Sequence, residues 1–191
     1  MYRSAVTLIA PLLLVLATCQ GNWTDQDPLS PDAALATRNA PAVPLHGQFD
    51  WTFHGWQLPP EGRCPAATDG AFWVLSIGEG TGTMSHLGQV RVTGGYCLNP
   101  FTFEFVRGQV TYTAANGDSL TGTYAGSGYP GDAPGEVGWS DVVVFTGGTG
   151  RFVHAEGSAN ETGSALMQFD PATGFATGGS GWGNIEGTIR Y

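Results

Sequence analysis

The sequence predicts an all-β protein: a closed antiparallel β-barrel of about eight strands, preceded by a signal peptide and an extended tether. Three observations predict it. All but one of the 30 glycines lie beyond residue 45, and in that part of the chain the longest runs free of glycine and proline, 109–116 and 139–146, are eight residues. Ordinary helices need about 11 residues, so runs of this length favour strands. Apolar and polar residues alternate within these runs, which is the period of a strand with one buried face. Turn signals stand between them, and short regular strands with close turns read as a barrel or sandwich.

The elements follow in chain order. Residues 1–18 read as a lipoprotein signal peptide: Arg3 supplies the positive charge and Ala5 to Ala17 the apolar stretch. That stretch is too short for a bilayer span, which takes about 20 residues. It closes on Leu16-Ala17-Thr18-Cys19, which resembles the bacterial lipobox, with Thr18 where a smaller residue is usual. Cys19 is therefore the expected lipidation site, and an ordinary secretory signal is the alternative. Residues 19–45 form the expected tether, carrying Pro28, Pro31, Pro41 and Pro44 among Asp25, Asp27 and Asp32. Gln20 after the cysteine, in place of an inner-membrane-retaining aspartate, favours the outer membrane.

Residues 46–191 form the expected barrel domain. Phe49, Trp51 and Phe53 alternate with Asp50, Thr52 and His54, and Phe101, Phe103 and Phe105 alternate with Thr102, Glu104 and Val106. Val110 and Tyr112 repeat the pattern, as do Ile185, Gly187, Ile189 and Tyr191 at the end. Ala71 to Ile77 is nearly all apolar and reads as a strand buried on both faces. Asn116-Gly117 predicts a type I′ hairpin, and Asp170 to Gly174 another turn.

Cysteine counting agrees with export. The chain has three cysteines, Cys19, Cys64 and Cys97. Lipidation of Cys19 leaves Cys64 and Cys97 to form one disulfide in an oxidising compartment, two buried thiols being the alternative.

A resemblance covers residues 46–191. The segments Gly80-Thr81-Gly82-Thr83-Met84-Ser85-His86-Leu87-Gly88, Thr113 to Tyr124, Gly147-Gly148-Thr149-Gly150-Arg151-Phe152 and the closing Gly187-Thr188-Ile189-Arg190-Tyr191 occur in this order. Together they resemble bacterial exported proteins with the allene oxide cyclase barrel-like domain, related in fold to dirigent proteins. The resemblance implies a closed eight-stranded barrel. The catalytic residues of that family find no matching positions here, so none is carried over and the catalytic set stays unknown.

Composition narrows the function. Sixteen acidic residues stand against seven arginines and no lysine, for a net charge of −9. A nucleic-acid binder needs a basic face, so nucleic acid is not an expected partner. Aromatics at 12% are too many for a disordered chain. His46, His54, His86 and His154 show no metal-ligand spacing, so no metal and no cofactor are expected. His86 reads as a turn-holding ring or an acid/base group. Alternation places Asp50 and Glu104 on the wet face, opposite the aromatic rows. Trp51, Phe53, Trp73, Phe103 and Tyr112 are the candidate ligand-binding residues, with packing of a glycine-rich core as the other reading.

The expected protein is an exported, lipid-anchored envelope protein with a non-catalytic barrel, structural or binding a small apolar ligand. Its expected partners are the membrane, through the lipid, and that ligand, with an oligomer open. An isomerase or cyclase working in the lumen and an adhesion or assembly subunit are the alternatives, and soluble secretion is the alternative location.

Overall fold

The computed structural model describes residues 41–67 and 71–191. The signal peptide, Cys19 and most of the tether lie outside the described residues. Eight strands follow one another: β1 Val43–Gln57, β2 Val74–Met84, β3 Gly88–Leu98, β4 Glu104–Ala114, β5 Ser119–Pro130, β6 Glu136–Gly148, β7 Glu156–Phe169 and β8 Ala176–Arg190. Each pairs antiparallel with the next, and β8 pairs back on β1 to close the barrel. Closure removes the unpaired edges that an open sheet would leave.

The barrel has two unlike ends. At one, where β1 begins, Leu45, Phe49, Val92, Leu120, Ile185 and Ile189 fill the interior and are almost wholly buried. The 3-10 helix Gly150–Phe152 plugs this end, with Phe152 fully buried and its ring 4.8 Å from that of Tyr191. His86 closes the same rim: its Nε2 lies 2.8 Å from the Pro44 carbonyl and its Nδ1 3.2 Å from the Tyr191 hydroxyl. The histidine thus holds a turn to a neighbouring strand. The other end, the mouth, is framed by the loops β1–β2, β3–β4, β5–β6 and β7–β8.

Glycines on the inner face make room for rings from adjacent strands. Gly163 lies directly opposite Trp139, and a Cβ there would come within 2.1 Å of the indole. Trp139 is thereby packed over a missing side chain.

Asp50 and Glu104 are exposed on the outer face, as the alternation requires. Two local expectations are corrected. The Asn116 turn is not type I′, which needs positive φ at both central residues. Only Gly117 has it, at 90°. Its N–H bonds the Ala114 carbonyl at 3.0 Å, while Asn116 Oδ1 accepts from the Asp118 N–H at 3.1 Å. That side-chain bond holds Asn116 in an Asx turn. The row Phe101, Phe103, Phe105 is not one strand face either. Asn99 Oδ1 accepts from the Phe101 N–H at 3.0 Å, and the Asn99 carbonyl accepts from the Phe103 N–H at 2.9 Å. This turn leaves Phe101 76% exposed and puts Phe103 at φ 58°, so β4 starts only at Glu104. Likewise β2 begins at Val74, and Phe72 and Trp73 before it are only partly buried.

Cys64 and Cys97 form the expected disulfide, with Cα atoms 5.5 Å apart. It pins the long β1–β2 loop against β3. Arg63 adds bonds to the Arg107 carbonyl at 2.9 Å and the Gly95 carbonyl at 3.1 Å. The loop covers the outside of β2 and β3, which is why Leu75, paired with Cys97, is buried along with inward-facing Val74 and Ser76.

A double Cys64→Ser/Cys97→Ser variant is expected to keep the β-sheet circular-dichroism signal. It should lose about 3–4 kcal/mol of stability in denaturant titration, the chain-entropy scale for a loop of this length. An unchanged denaturation midpoint would show that the loop is held by its hydrogen bonds alone.

Candidate functional site

The mouth half of the barrel is hollow. It encloses a cavity of about 80 Å³. A single water takes roughly 10–15 Å³ on this measure, so the space suits several waters or one small organic body. Its wall is aromatic: Phe53 packs edge-on to Trp139 at 5.9 Å, and Tyr96 lies 5.0 Å from Phe105 and 6.0 Å from Tyr124. Trp51, stacked on Phe53 at 6.0 Å, closes it from below.

Two carboxylates share the floor with Trp51. Asp141 on β6 and Glu161 on β7 are directly opposite each other in the ladder, and both face inward. They are 8% and 6% exposed, buried far more deeply than unpaired acids normally are. The register brings this about. Trp139, Asp141, Val143 and Phe145 occupy one face of β6, and Ala159, Glu161, Gly163 and Ala165 one face of β7. Small neighbours let the acids approach. Gly126 stands opposite Asp141 on β5, and a Cβ on Gly183 of β8 would lie 3.0 Å from Glu161 Oε1 and 3.3 Å from Trp51 Nε1.

The electrostatics follow from burial and like charge. Desolvation raises the Asp141 carboxyl to about 7. Desolvation first, then the charge of Asp141, raises Glu161 to about 8, while Trp51 and Tyr112 act against the rise by favouring the carboxylate. Trp51 and Tyr112 stand close to Glu161 without reaching full hydrogen-bond geometry. Trp51 Nε1, Tyr112 Oη and Asp141 Oδ1 are all buried without a protein hydrogen-bond partner. Burial also raises the hydroxyls of Tyr96, Tyr112 and Tyr124, so all three are neutral donors at ordinary pH. Around neutral pH the pair therefore still holds protons where ordinary carboxyls are fully ionised.

Of the residues expected from sequence, Trp51, Phe53 and Phe103 line the cavity. Tyr112 lies beneath it, fully buried, with its hydroxyl on the Glu161 side. Trp73 is not part of the lining; it precedes β2 and is only partly buried. Asp141 and Glu161 escape the sequence reading, which weighed Asp50 and Glu104 instead. On β6 the face is ambiguous, because Val142 and Val144 offer an equally apolar opposite row, each 49% exposed. The parity of Trp139 and Phe145 with Asp141 was the usable signal.

Stability should depend on pH through this pair. Both groups are raised in the folded state, so the native protein binds more protons than the unfolded chain between the ordinary carboxylate range and about 8. Stability is full below about pH 4 and declines as pH rises through about 7–8. Asp141→Asn/Glu161→Gln should flatten this profile and leave the variant more stable than the parent at about pH 8. Thermal unfolding across that range checks it; parallel profiles for parent and variant would contradict the assignment.

Compared with known protein families, curated proteins and solved structures, the chain finds no match.

Proposed function

We propose that the barrel is a small-molecule binding module of an exported, lipid-anchored envelope protein. It takes a compact, mostly apolar ligand into the mouth half of its lumen. One observation carries the reading: the packed half satisfies its interior with side chains, whereas the mouth half keeps a cavity floored by buried polar atoms that no protein group satisfies. An unsatisfied buried polar atom costs about 1–3 kcal/mol, and several at one spot in a hollow mark a place where another molecule completes the bonding. The aromatic wall supplies apolar contact and the floor fixes orientation.

The lipid anchor is assigned to Cys19 on its lipobox-like setting. The chain enters the barrel at β1, at the packed end. A tether from that end leaves the mouth facing away from its attachment, open to ligand.

A second reading, an isomerase or cyclase, is favoured by two buried carboxyls of raised proton affinity standing opposite each other beneath a cavity, the kind of groups general acid–base chemistry uses. The two readings separate on whether bound ligand is recovered chemically unchanged.

Propylbenzene is a suitable first probe. It is expected to change the fluorescence of the lumen tryptophans Trp51 and Trp139 in a saturable manner. Ala165→Leu, which puts a larger side chain into the cavity, should weaken this at least tenfold while keeping the fold by circular dichroism. Non-saturable quenching, equal in parent and Ala165→Leu, would refute a lumen site.

A further inference from the structure

We infer that the ligand is an organic cation, a protonated primary amine on a small apolar body, held between the Asp141–Glu161 pair and the aromatic wall. This rests on the lumen-binding reading above and adds the chemical class.

Three independent features point to a cation. The first is charge. The cavity lining contains two carboxyl groups and no arginine, lysine or histidine. Arg91 lies outside with a side chain 68% exposed, Arg63 is bonded to the β3 and β4 carbonyls of Gly95 and Arg107, and Arg107 is bonded to the loop carbonyl of Gly62. An anion would meet two acids with no compensating group, and a neutral apolar molecule would leave the acids unsatisfied.

The second is geometry. Asp141 and Glu161 face each other across adjacent strands, where like charges repel. A cation between them turns that repulsion into attraction for both. The unpartnered Asp141 Oδ1, on a residue only 8% exposed, is an acceptor waiting for an N–H or O–H donor. An ammonium carries three donors and no acceptor, so it serves the carboxylate oxygens of the floor, while the Trp51 and Tyr112 donors stand close to Glu161.

The third is the wall. Rings from Phe53, Tyr96, Phe105, Tyr124 and Trp139 surround the space above the acids. Ring faces attract cations, most strongly where water is excluded, and they also cover the apolar body.

The pair's proton makes the inference measurable. The titratable groups facing it are Tyr112 from β4, Tyr124 from β5 and Tyr96 from β3, all with raised hydroxyls. β1, β2 and β8 bring Trp51, Gly78 and Gly183, which do not titrate. Bound ammonium favours both carboxylates in ionised form, so binding near neutral pH releases protons held by the pair.

The test compares 2-phenylethylamine with its neutral isostere propylbenzene and with anionic 3-phenylpropanoate, by calorimetry and tryptophan fluorescence. The amine should bind at least tenfold more tightly than propylbenzene, and 3-phenylpropanoate should not bind. Titrations in buffers of different ionisation enthalpy should show proton release, and amine affinity should rise from about pH 5 to about pH 8. Asp141→Asn/Glu161→Gln should abolish the preference while propylbenzene still binds. Equal affinity for amine and propylbenzene in the parent, or amine affinity that is flat with pH, overturns the cation assignment and leaves lumen binding standing. Failure of both amine and propylbenzene to bind overturns the two together. Should the double variant not fold, the pH profile and proton release of the parent decide.

Discussion

Closure of the sheet by β1 against β8 is the constraint on which the rest depends. The two strands pair continuously from Val43 opposite Ile189 to His54 opposite Gly178. Once eight strands close, the interior diameter is set, and every inward side chain must fit a fixed volume. The inner faces of β2 and β8 are largely glycine, with Gly78, Gly80 and Gly82 on one and Gly179, Gly181, Gly183 and Gly187 on the other. The inner face of β1 between them carries Phe49, Trp51 and Phe53. Rings on one strand thus occupy the volume that its neighbours vacate. This complementarity explains why a chain so rich in glycine still builds a packed core.

The same register that fits rings to glycines brings Asp141 and Glu161 together. Pairing along the β6–β7 hairpin puts them directly opposite, and a shift of one residue would turn one acid out to solvent. Such a shift would also expel Trp139 or Ala165 from the interior, so the apolar neighbours hold the acids in place. Stability alone gives no reason to keep the pair: two buried like-charged groups cost free energy, and apolar residues of similar size would remove that cost. Retaining both acids beneath a cavity is intelligible when the cavity uses them.

Much of the fold was legible in the sequence and little of the site was. Strand-length runs, alternation and turn residues are local signals, and they lead to eight strands and to the wet placement of Asp50 and Glu104. The disulfide followed from cysteine counting in a chain read from its sequence as exported. Where a side chain competes for the backbone, local pattern misleads. Asn99 breaks the phenylalanine row, and Asn116 replaces one turn type by another. The acid pair depends on which residues meet across a hairpin, a non-local fact. Val142 and Val144 hid it by giving β6 two apolar faces, only one of which lies inside.

The division of the barrel into a packed half and a hollow half assigns different tasks to its ends. The packed end carries the global stability: the core cluster, the Phe152 plug and the His86 clamp all lie there. The mouth contributes less burial and depends on other restraints. The Cys64–Cys97 bond, the Arg63 and Arg107 bonds that tie the loop to β3 and β4, and the Asp170 turn closed by Gly174 onto its carbonyl at 2.8 Å all sit at that end. A hollow site needs such restraints, because a cavity that can collapse loses the shape its ligand fits. The disulfide therefore belongs with the site as much as with the fold. It holds the loop over β2 and β3, behind Ser76 and Tyr96, and so braces one wall of the cavity from outside.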